Sequence, residues 1–568
     1  MGIFRHLSDQ SSYLHHPKRR YLWSSFALLI GLVSGVPALA LSISVGADGI
    51  DARRLHQSPY NLTGKKIAIG QVEGGRPGLF GLDKLAIPNN PVAVNQVLQL
   101  DGVAVSDEFV DNHANHVASV MISQDKRLTG VAPDATLFSA SIGPLTGELS
   151  GQPQECLTTQ HIALRNSDDV RAINFSFGEP LVNDPRPNAS LDGNALLTQC
   201  IDWSSAFHKA LYVIAGNQGG GGIPIPTDNF NGINVAYSTQ VDGRFVKIDY
   251  ANASSEPSFS PSGTSVPESN VGPRRSINLV APGDDIRMLN VDGQEVLSSG
   301  SSFAAPHVAA TVALLQEWGD RQIRTAGWRL DAREPMVMKA VLLNAADKLM
   351  DNGDGQNLGM ARTLLDELNL TWIDSDAYRD PKVPLHRELG TGHLNAFRAY
   401  EQFNGGQWSP GNVAVKGWDY NVLALSTAEA SPQQPAHADY IIDEPLNAGS
   451  YFSATLAWER QVSLADSNGN RLYDIGEGFD AQELNNLDLY LMAVDENDIS
   501  KSIWSSVSDV DSVEHIFYKL PQTGRYKLRV VYQQRSTAEK PQSYSLAWWG
   551  AGASTPTISS THHGQHSN

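Results

Sequence analysis

The sequence of 568 residues is poor in cysteine and in positive charge, and each shortage argues against a class of function. Its formal net charge is −19, and no long run of lysine or arginine lies outside the N-terminus. Such a chain repels phosphate backbones, so we expect no nucleic-acid partner. Cysteine occurs twice, at Cys156 and Cys200. In an exported chain a pair favours a disulfide over a metal site, with two separate buried thiols as the alternative.

The N-terminus has the composition of an export signal. Three basic residues at 18–20 precede the apolar run 21–40, which ends in an Ala-Leu-Ala pattern at 38–40. This order is typical of a cleaved signal peptide, so we predict a secreted or periplasmic protein. The alternative is a retained membrane anchor, because apolar residues continue through 41–45 and the whole run is long enough for a bilayer of about 30 Å.

The rest of the chain changes character near residue 404. Before it, short β-rich runs alternate with helical ones, which predicts an α/β domain with a mostly parallel sheet and helices on both faces. After it, short alternating strands follow one another without helices, which predicts an antiparallel β-sandwich. The expected organisation is a signal peptide over 1–40, a short N-terminal segment over 41–64, the α/β domain over 65–404, the sandwich over 405–550 and a disordered tail over 551–568.

The stretch GSSFAAPHVAA at 300–310 places Ser302 where a strand gives way to an apolar helical run. A serine at such a junction is either a helix cap or a nucleophile, and a nucleophile needs a base within hydrogen-bond reach. His113, at the start of another apolar helix, has a suitable pKa for that role. The alternatives for His113 are capping and packing, or zinc binding with His116, although the segment lacks the glutamate and spacing of H-E-x-x-H.

An asparagine follows the apolar strand in the segment LYVIAGNQGG. The amide of Asn217, just past the strand end, could donate a hydrogen bond to the oxyanion of a tetrahedral intermediate. The backbone N–H of Ser302 at a helix N-terminus could supply the second donor. Without Ser302 and His113, the same asparagine would be interpreted as a turn residue.

These three segments resemble the motif blocks of subtilisin-type serine peptidases, the subtilase family. GSSFAAPHVAA is similar to the nucleophile block, NHANHVASV to the histidine block and VIAGNQG to the oxyanion block, in the family's chain order, and further similarities extend over about 64–405. The resemblance implies hydrolysis of protein or peptide substrates, with no cofactor for the chemistry. It also implies a substrate cleft lined by Ser176, Phe177, Gly178, Ala215 and Gly216.

The catalytic acid departs from the family pattern. The family's first strand ends in aspartate, whereas KKIAIGQVEGG offers Glu73. A carboxylate of either length can fix the tautomer of the histidine and stabilise its imidazolium, so we predict Glu73 as the third member of the triad. Asp111 and Asp101 are the alternative carboxylates, and a solvated turn residue is the remaining interpretation of Glu73.

A second group of oxygen-bearing side chains lies in the segment DSNGNRLYDIGE. Its residues occupy positions one, three, five, nine and twelve of an EF-hand-like loop, an alternation that suits calcium. They are Asp466, Asn468, Asn470, Asp474 and Glu477. Arg471 stands where that loop has glycine, and the flanks have strand character, so the alternative is a hydrated turn without metal.

Together these features predict an exported serine endopeptidase with a Ser-His-Glu triad and an Asn oxyanion hole. One alternative is a catalytically silent relative that binds proteins in the same cleft, because Glu73 departs from the family pattern and 41–64 is too short for a folded prodomain. Another is an adhesion or carbohydrate-binding module carried by the C-terminal β-domain.

Overall fold

The structure is a computed structural model that describes residues 41–144, 151–216, 225–241, 244–248, 270–354, 356, 358–423, 436–533 and 541–551. The predicted signal peptide, Asn217 and nearly all of the predicted tail lie outside these residues. The described residues belong to one unit by their contacts. Among them we find no helix with the length and apolar character needed to cross a bilayer.

The helices are short except for one at the centre of the molecule. They are α1 Leu41–Ser44, α2 Arg53–His56, α3 Asn112–Ile122, α4 Gln152–Ala163, α5 Arg165–Asp168, α6 Leu196–His208, α7 Ser301–Thr325, α8 Pro335–Asn344 and α9 Ala396–Asn404. Single 3₁₀ turns occur at Leu181–Asn183, Leu330–Arg333, Trp372–Asp374 and Ile499–Lys501.

The first part of the chain builds a central sheet, which has ten strands among the described residues, and two small two-stranded sheets. The strands are β1 Ala68–Glu73, β2 Gln96–Gln99, β3 Gly102–Val103, β4 Thr136–Ser141, β5 Val170–Phe175, β6 Leu211–Ala215, β7 Ile233–Val241, β8 Arg244–Ile248, β9 Asn270–Val271, β10 Arg274–Arg275, β11 Leu279–Pro282, β12 Ile286–Leu289, β13 Glu295–Ser298 and β14 Leu364–Leu365. The central order is β14-β8-β7-β6-β5-β1-β4-β2-β3, with β11 beside β7.

Most neighbours in the central sheet are parallel, and the pairs β2–β3 and β7–β8 are antiparallel. Every residue of β1, β5 and β6 is buried, as expected for strands covered on both faces. Successive residues of β6 point into different cores: Val213 packs with α3 and α7, and Ile214 packs with α4 and α6. The predicted parallel sheet between two helical layers is therefore confirmed.

The second part of the chain forms the predicted antiparallel sandwich. Its strands, with a small hairpin of β19 and β20, are β15 Gly411–Val413, β16 Lys416–Leu423, β17 His437–Ile442, β18 Tyr451–Trp458, β19 Val462–Leu464, β20 Phe479–Ala481, β21 Asn486–Ala493, β22 Trp504–Ser506, β23 Val513–Lys519, β24 Tyr526–Gln533 and β25 Gln542–Gly550. The two packed sheets have the orders β15-β17-β24-β21-β22 and β16-β25-β18-β23. One pair, β15–β17, is parallel, because β16 lies in the other sheet and separates the two strands along the chain.

The sandwich and the α/β part share buried polar contacts through α8. The side-chain oxygen of Asn344 accepts hydrogen bonds from Ser453 Oγ at 2.8 Å and Thr455 Oγ1 at 3.2 Å. Its backbone carbonyl accepts the indole N–H of Trp549 at 3.1 Å. The two parts are therefore joined by specific bonds at the end of α8.

Two further links fix the α/β part. The predicted disulfide is confirmed: Cys156 on α4 is bonded to Cys200 on α6, with the Cα atoms 5.9 Å apart. The segment before β1 is held by α7, since Oε2 of Glu317 accepts the backbone N–H groups of residues 63, 64 and 65 at 2.8, 2.8 and 3.1 Å. The N-terminal segment is thus part of the core that surrounds α7.

Candidate active site

Glu73 and His113 come together at the carboxyl end of β1. The carboxylate of Asp111 caps α3 by accepting the backbone N–H of His113 at 2.6 Å, which fixes the start of the helix. The turn after Glu73 needs glycine at position 75, because its φ is +91° and a Cβ there would lie 2.5 Å from the Cβ of Asp111. Oε2 of Glu73 lies 3.4 Å from Nδ1 of His113. The predicted acid therefore faces the predicted base.

The two groups differ in exposure, and this shapes their protonation. The Glu73 side chain is fully buried, whereas that of His113 is 21% exposed. Burial raises the pKa of Glu73, and the nearby imidazole of His113 and backbone N–H of Ser176 offset only part of this effect. Burial acts to lower the pKa of His113. The nearby carboxylates of Glu73 and, to a smaller extent, Asp111 act in the opposite direction, and their combined effect is larger, so the pKa of His113 is raised. Glu73 thus strengthens the affinity of His113 for a proton.

Ser302 is the second residue of α7. The N-cap is Gly300, so the interpretation of Ser302 as the cap of this helix is wrong. Ser302 is 7% exposed, and its hydroxyl donates to the backbone carbonyl of Ser176 at 3.3 Å. The next residue, Phe303, places its ring centroid 5.6 Å from that of His113. The residue that follows Ser302 therefore packs against the base, while the Ser302 hydroxyl bonds to the segment after β5 in this structure.

The segment after β5 connects the acid to the nucleophile. The hydroxyl of Ser176 donates to the backbone carbonyl of Ser302 at 2.8 Å. Nδ2 of Asn174 donates to Ser176 Oγ at 2.8 Å and to Oε1 of Glu73 at 3.4 Å. Asn174 was missed by the sequence interpretation, although an amide inside a fully buried strand was a signal that it has specific partners.

The other predicted cleft residues lie at the ends of β5 and β6. Phe177 and Gly178 are partly exposed, and Phe177 packs against Phe175 with ring centroids 5.1 Å apart. Ser301 Oγ donates to the carbonyl of Gly216 at 2.8 Å, which ties the end of β6 to the start of α7. Ala215 is 6% exposed. The predicted oxyanion residue, Asn217, lies outside the described residues.

The second histidine of α3 and the two alternative carboxylates each lie in a different setting. Nε2 of His116 meets Oδ1 of Asn290 at 2.7 Å, and across the described ranges no three histidine, cysteine or acidic side chains form a group that could hold a metal. Asp111 acts as the cap of α3, and Asp101 is exposed in the turn between β2 and β3. Of the carboxylates of Glu73, Asp111 and Asp101, that of Glu73 faces the Nδ1 atom of His113.

The candidate calcium residues lie between β19 and β20. Their side-chain oxygens accept hydrogen bonds from within the loop: Asp466 from the N–H groups of residues 469 and 471, and Glu477 from those of residues 467 and 474. Amides of Asn468 and Asn470 both donate to Asp474, at 2.7 and 2.8 Å. The five residues thus share one exposed loop.

Comparison with known proteins shows which family the sequence of this chain matches. A family model described as the subtilase family matches residues 42–361. Subtilisin E from Bacillus subtilis (strain 168) is 25% identical over 297 residues, which cover 50% of this chain and 65% of the relative. Subtilisin from Bacillus pumilus is 24% identical over 296 residues, 50% of this chain and 90% of the relative.

Among solved structures, the prenylagaramide maturation protease PagA is similar with a TM-score of 0.39 and 20% identity, covering 62% of this chain and 97% of that one. The chain spans 65% of the length of subtilisin E, subtilisin J and subtilisin amylosacchariticus.

Proposed function

We propose that this chain, which belongs to the subtilase family, is an exported serine endopeptidase that hydrolyses peptide bonds in proteins. The observation that carries the proposal is that Glu73 faces His113, and that Phe303, the residue after Ser302, packs against the ring of His113. The groups assigned are the carboxylate of Glu73, the imidazole of His113 and the hydroxyl of Ser302. These are the reacting groups of acyl transfer by a serine nucleophile, in the chain order of the family.

The proposed reaction begins with a rotation of the Ser302 hydroxyl from the Ser176 carbonyl to His113. His113 accepts the proton as Ser302 attacks the peptide carbonyl, and Glu73 stabilises the imidazolium that results. The oxyanion takes hydrogen bonds from the Ser302 N–H at the start of α7 and from the Asn217 amide. His113 then returns the proton to the leaving amine, and a water molecule releases the acyl group by the same steps. The chemistry needs no cofactor.

The proposed substrate is an extended peptide that lies along the segment after β5. An extended chain can pair with an exposed strand edge through its backbone, which gives affinity without strict side-chain selection. Ser176, Phe177 and Gly178 would form that edge, with Ala215 and Gly216 at the neighbouring strand end. The partial exposure of Phe177 and Gly178 supports this placement.

Export and domain organisation complete the proposal. Residues 1–40 act as the signal peptide, and the boundary between the peptidase domain and the sandwich lies after α9, which ends at Asn404. Calcium binding by the loop between β19 and β20 stays a prediction. It is supported by Arg471, whose φ of +64° supplies the left-handed conformation for which an EF-hand loop has glycine.

The decisive experiment is labelling of the purified protein with a fluorophosphonate probe, together with a casein hydrolysis assay. We expect covalent labelling at Ser302 and hydrolysis that the probe blocks, with both lost in Ser302→Ala. A folded wild-type protein that is neither labelled nor hydrolytic would overturn the proposal. Retained peptide binding in that case would favour the catalytically silent relative.

A further inference from the structure

Asn174 is a buried amide that lies under the candidate triad. It is the fifth residue of β5, and it has no exposed surface. Its Nδ2 atom contacts Ser176 Oγ at 2.8 Å and Oε1 of Glu73 at 3.4 Å. One amide group thus touches both the catalytic acid and the residue whose hydroxyl binds the Ser302 carbonyl.

The orientation of this amide follows from its partners. An ionised carboxylate such as Glu73 only accepts hydrogen bonds. The proton of the Ser176 hydroxyl is committed to the Ser302 carbonyl at 2.8 Å, so towards Asn174 the hydroxyl also accepts. Both neighbours therefore need a donor, and the NH₂ group must face them. A side chain that carried two acceptors at this place would leave Glu73 and Ser176 without that donor.

The two carboxylate oxygens of Glu73 contact different partners. Oε2 faces Nδ1 of His113 at 3.4 Å, while Oε1 faces Asn174. The backbone N–H of Ser176 lies close enough to this carboxylate to lower its pKa, against the larger effect of burial. Glutamate has one more rotatable bond than the aspartate of the family pattern, and its carboxylate loses more rotamer freedom when it is held in one place. Donors on the side away from His113 restrict that freedom.

We propose that Asn174 is a positioning residue, which holds the Glu73 carboxylate against His113 and ties the acid through Ser176 to the backbone of Ser302. The inference rests on the proposed peptidase function. Asn174 touches neither the substrate nor the reacting atoms, so its effect passes through Glu73 and Ser176. Without this donor the carboxylate is held less firmly against His113, so it raises the pKa of His113 less.

The test compares Asn174→Leu with wild-type enzyme on a short peptide substrate, because leucine keeps the branching at Cγ and removes the donor. We expect kcat to fall about 10- to 100-fold with KM nearly unchanged, as is usual when a supporting partner of a reacting group is lost. The acid limb of the kcat/KM profile should move to lower pH by about 0.5–1 unit. The titratable groups that face His113 are Glu73 from β1 and Asp111 and His116 from its own helix, and these stay in place in the variant.

A second variant, Asn174→Asp, has the same shape as wild type. Two buried carboxyls in contact hold one proton between them, so position 174 donates only while that proton is present. We expect the activity of Asn174→Asp relative to wild type to decline as pH rises.

The matched control is Asn234→Leu, since Asn234 is 2% exposed in the same sheet and donates to the carbonyls of Thr227 and Ser276. It should lower thermal stability and leave the acid limb unmoved.

The outcomes separate this inference from the proposed function. A wild-type enzyme that cleaves no peptide defeats the proposed function. A cleaving enzyme whose Asn174 variants lose activity equally at every pH, or fail to fold while Asn234→Leu folds, assigns Asn174 to stability and overturns the positioning role.

Discussion

Oε2 of Glu73 lies 3.4 Å from Nδ1 of His113. Glu73 is the last residue of β1, and its side chain is fully buried. Replacement by glutamine keeps the shape and removes the charge that stabilises the imidazolium. We expect Glu73→Gln to lower kcat by about 10⁴-fold while the protein stays folded, as for the corresponding change in other triads. Steady-state kinetics with circular dichroism as the folding control checks this. Unchanged turnover would move the role of the acid to Asp111 or Asp101.

The length of the acid can be tested separately. The backbone after Glu73 is fixed by the close packing of Gly75 on Asp111, so it cannot easily follow a shorter side chain. Glu73→Asp should therefore draw the carboxylate away from His113 and cost roughly 10²-fold in kcat, since misplacement by about 1 Å has that effect. Activity equal to wild type would show that this turn adapts.

The pH dependence of activity follows from the raised pKa of His113. His113 acts as a base only when neutral, so activity should be lost as pH falls through a value above the ordinary histidine pKa of about 6.5. The sign of the shift comes from Glu73, which favours the charged ring. The acid limb of kcat/KM should therefore move to lower pH in the residual activity of Glu73→Gln. A limb at or below 6.5 in wild type would contradict this assignment.

Gly75 supplies a backbone conformation that other residues resist. Its φ is +91°, and a Cβ at this position would lie 2.5 Å from the Cβ of Asp111, so Gly75→Ala must shift the turn or the cap of α3. We expect a loss of about 1–3 kcal/mol in the free energy of unfolding and a lower kcat, because the turn sets the distance from Glu73 to His113. Gly81→Ala, where φ is +88° and nothing lies within 4 Å, is the control for strain without the contact.

The bonds of Asn344 predict that the two parts of the chain unfold together. Asn344→Ala removes the acceptor of Ser453 and Thr455 and the donor to Gln402, all buried. The expected cost is about 2–4 kcal/mol, with one calorimetric transition in both wild type and variant. Two separate transitions would show that the sandwich is thermodynamically independent of the α/β part.

Calcium binding by the loop between β19 and β20 can be measured through stability. If the loop binds Ca²⁺ in the native state, saturating Ca²⁺ should raise Tm by roughly a few degrees. Asp466→Asn and Asp474→Asn should lose this increase, whereas Asp509→Asn, on the later loop before β23, should keep it. An identical Tm with Ca²⁺ and with chelator would favour the hydrated turn.

Several parts of this architecture followed from local pattern. Buried apolar runs such as β1 and β5, separated by helical segments, predicted a parallel sheet, because strands covered on both faces need apolar residues throughout. The positions of His113 and Ser302 at helix starts followed from the motif blocks. The sequence also predicted the pairing of Cys156 with Cys200, which the structure confirms.

Other features depended on contacts between distant segments. The sequence left Ser302 open as a cap, and only the start of α7 at Ser301, with Gly300 before it, decided against that role. It assigned no role to Asn174, because the partners of a buried amide lie on other strands and helices. It placed Arg471 where a calcium loop has glycine, and only the structure gave the φ of +64° at this residue.

The amino-acid sequence by itself determined which groups could react and which strands would be buried, since hydrophobic pattern and side-chain chemistry are local properties. The tertiary structure alone decided which carboxylate faces His113, where the Ser302 hydroxyl points and which amide contacts Glu73. Those relationships are distances between segments far apart in the chain, and they are set by the packing of β1, β5, α3 and α7 against one another.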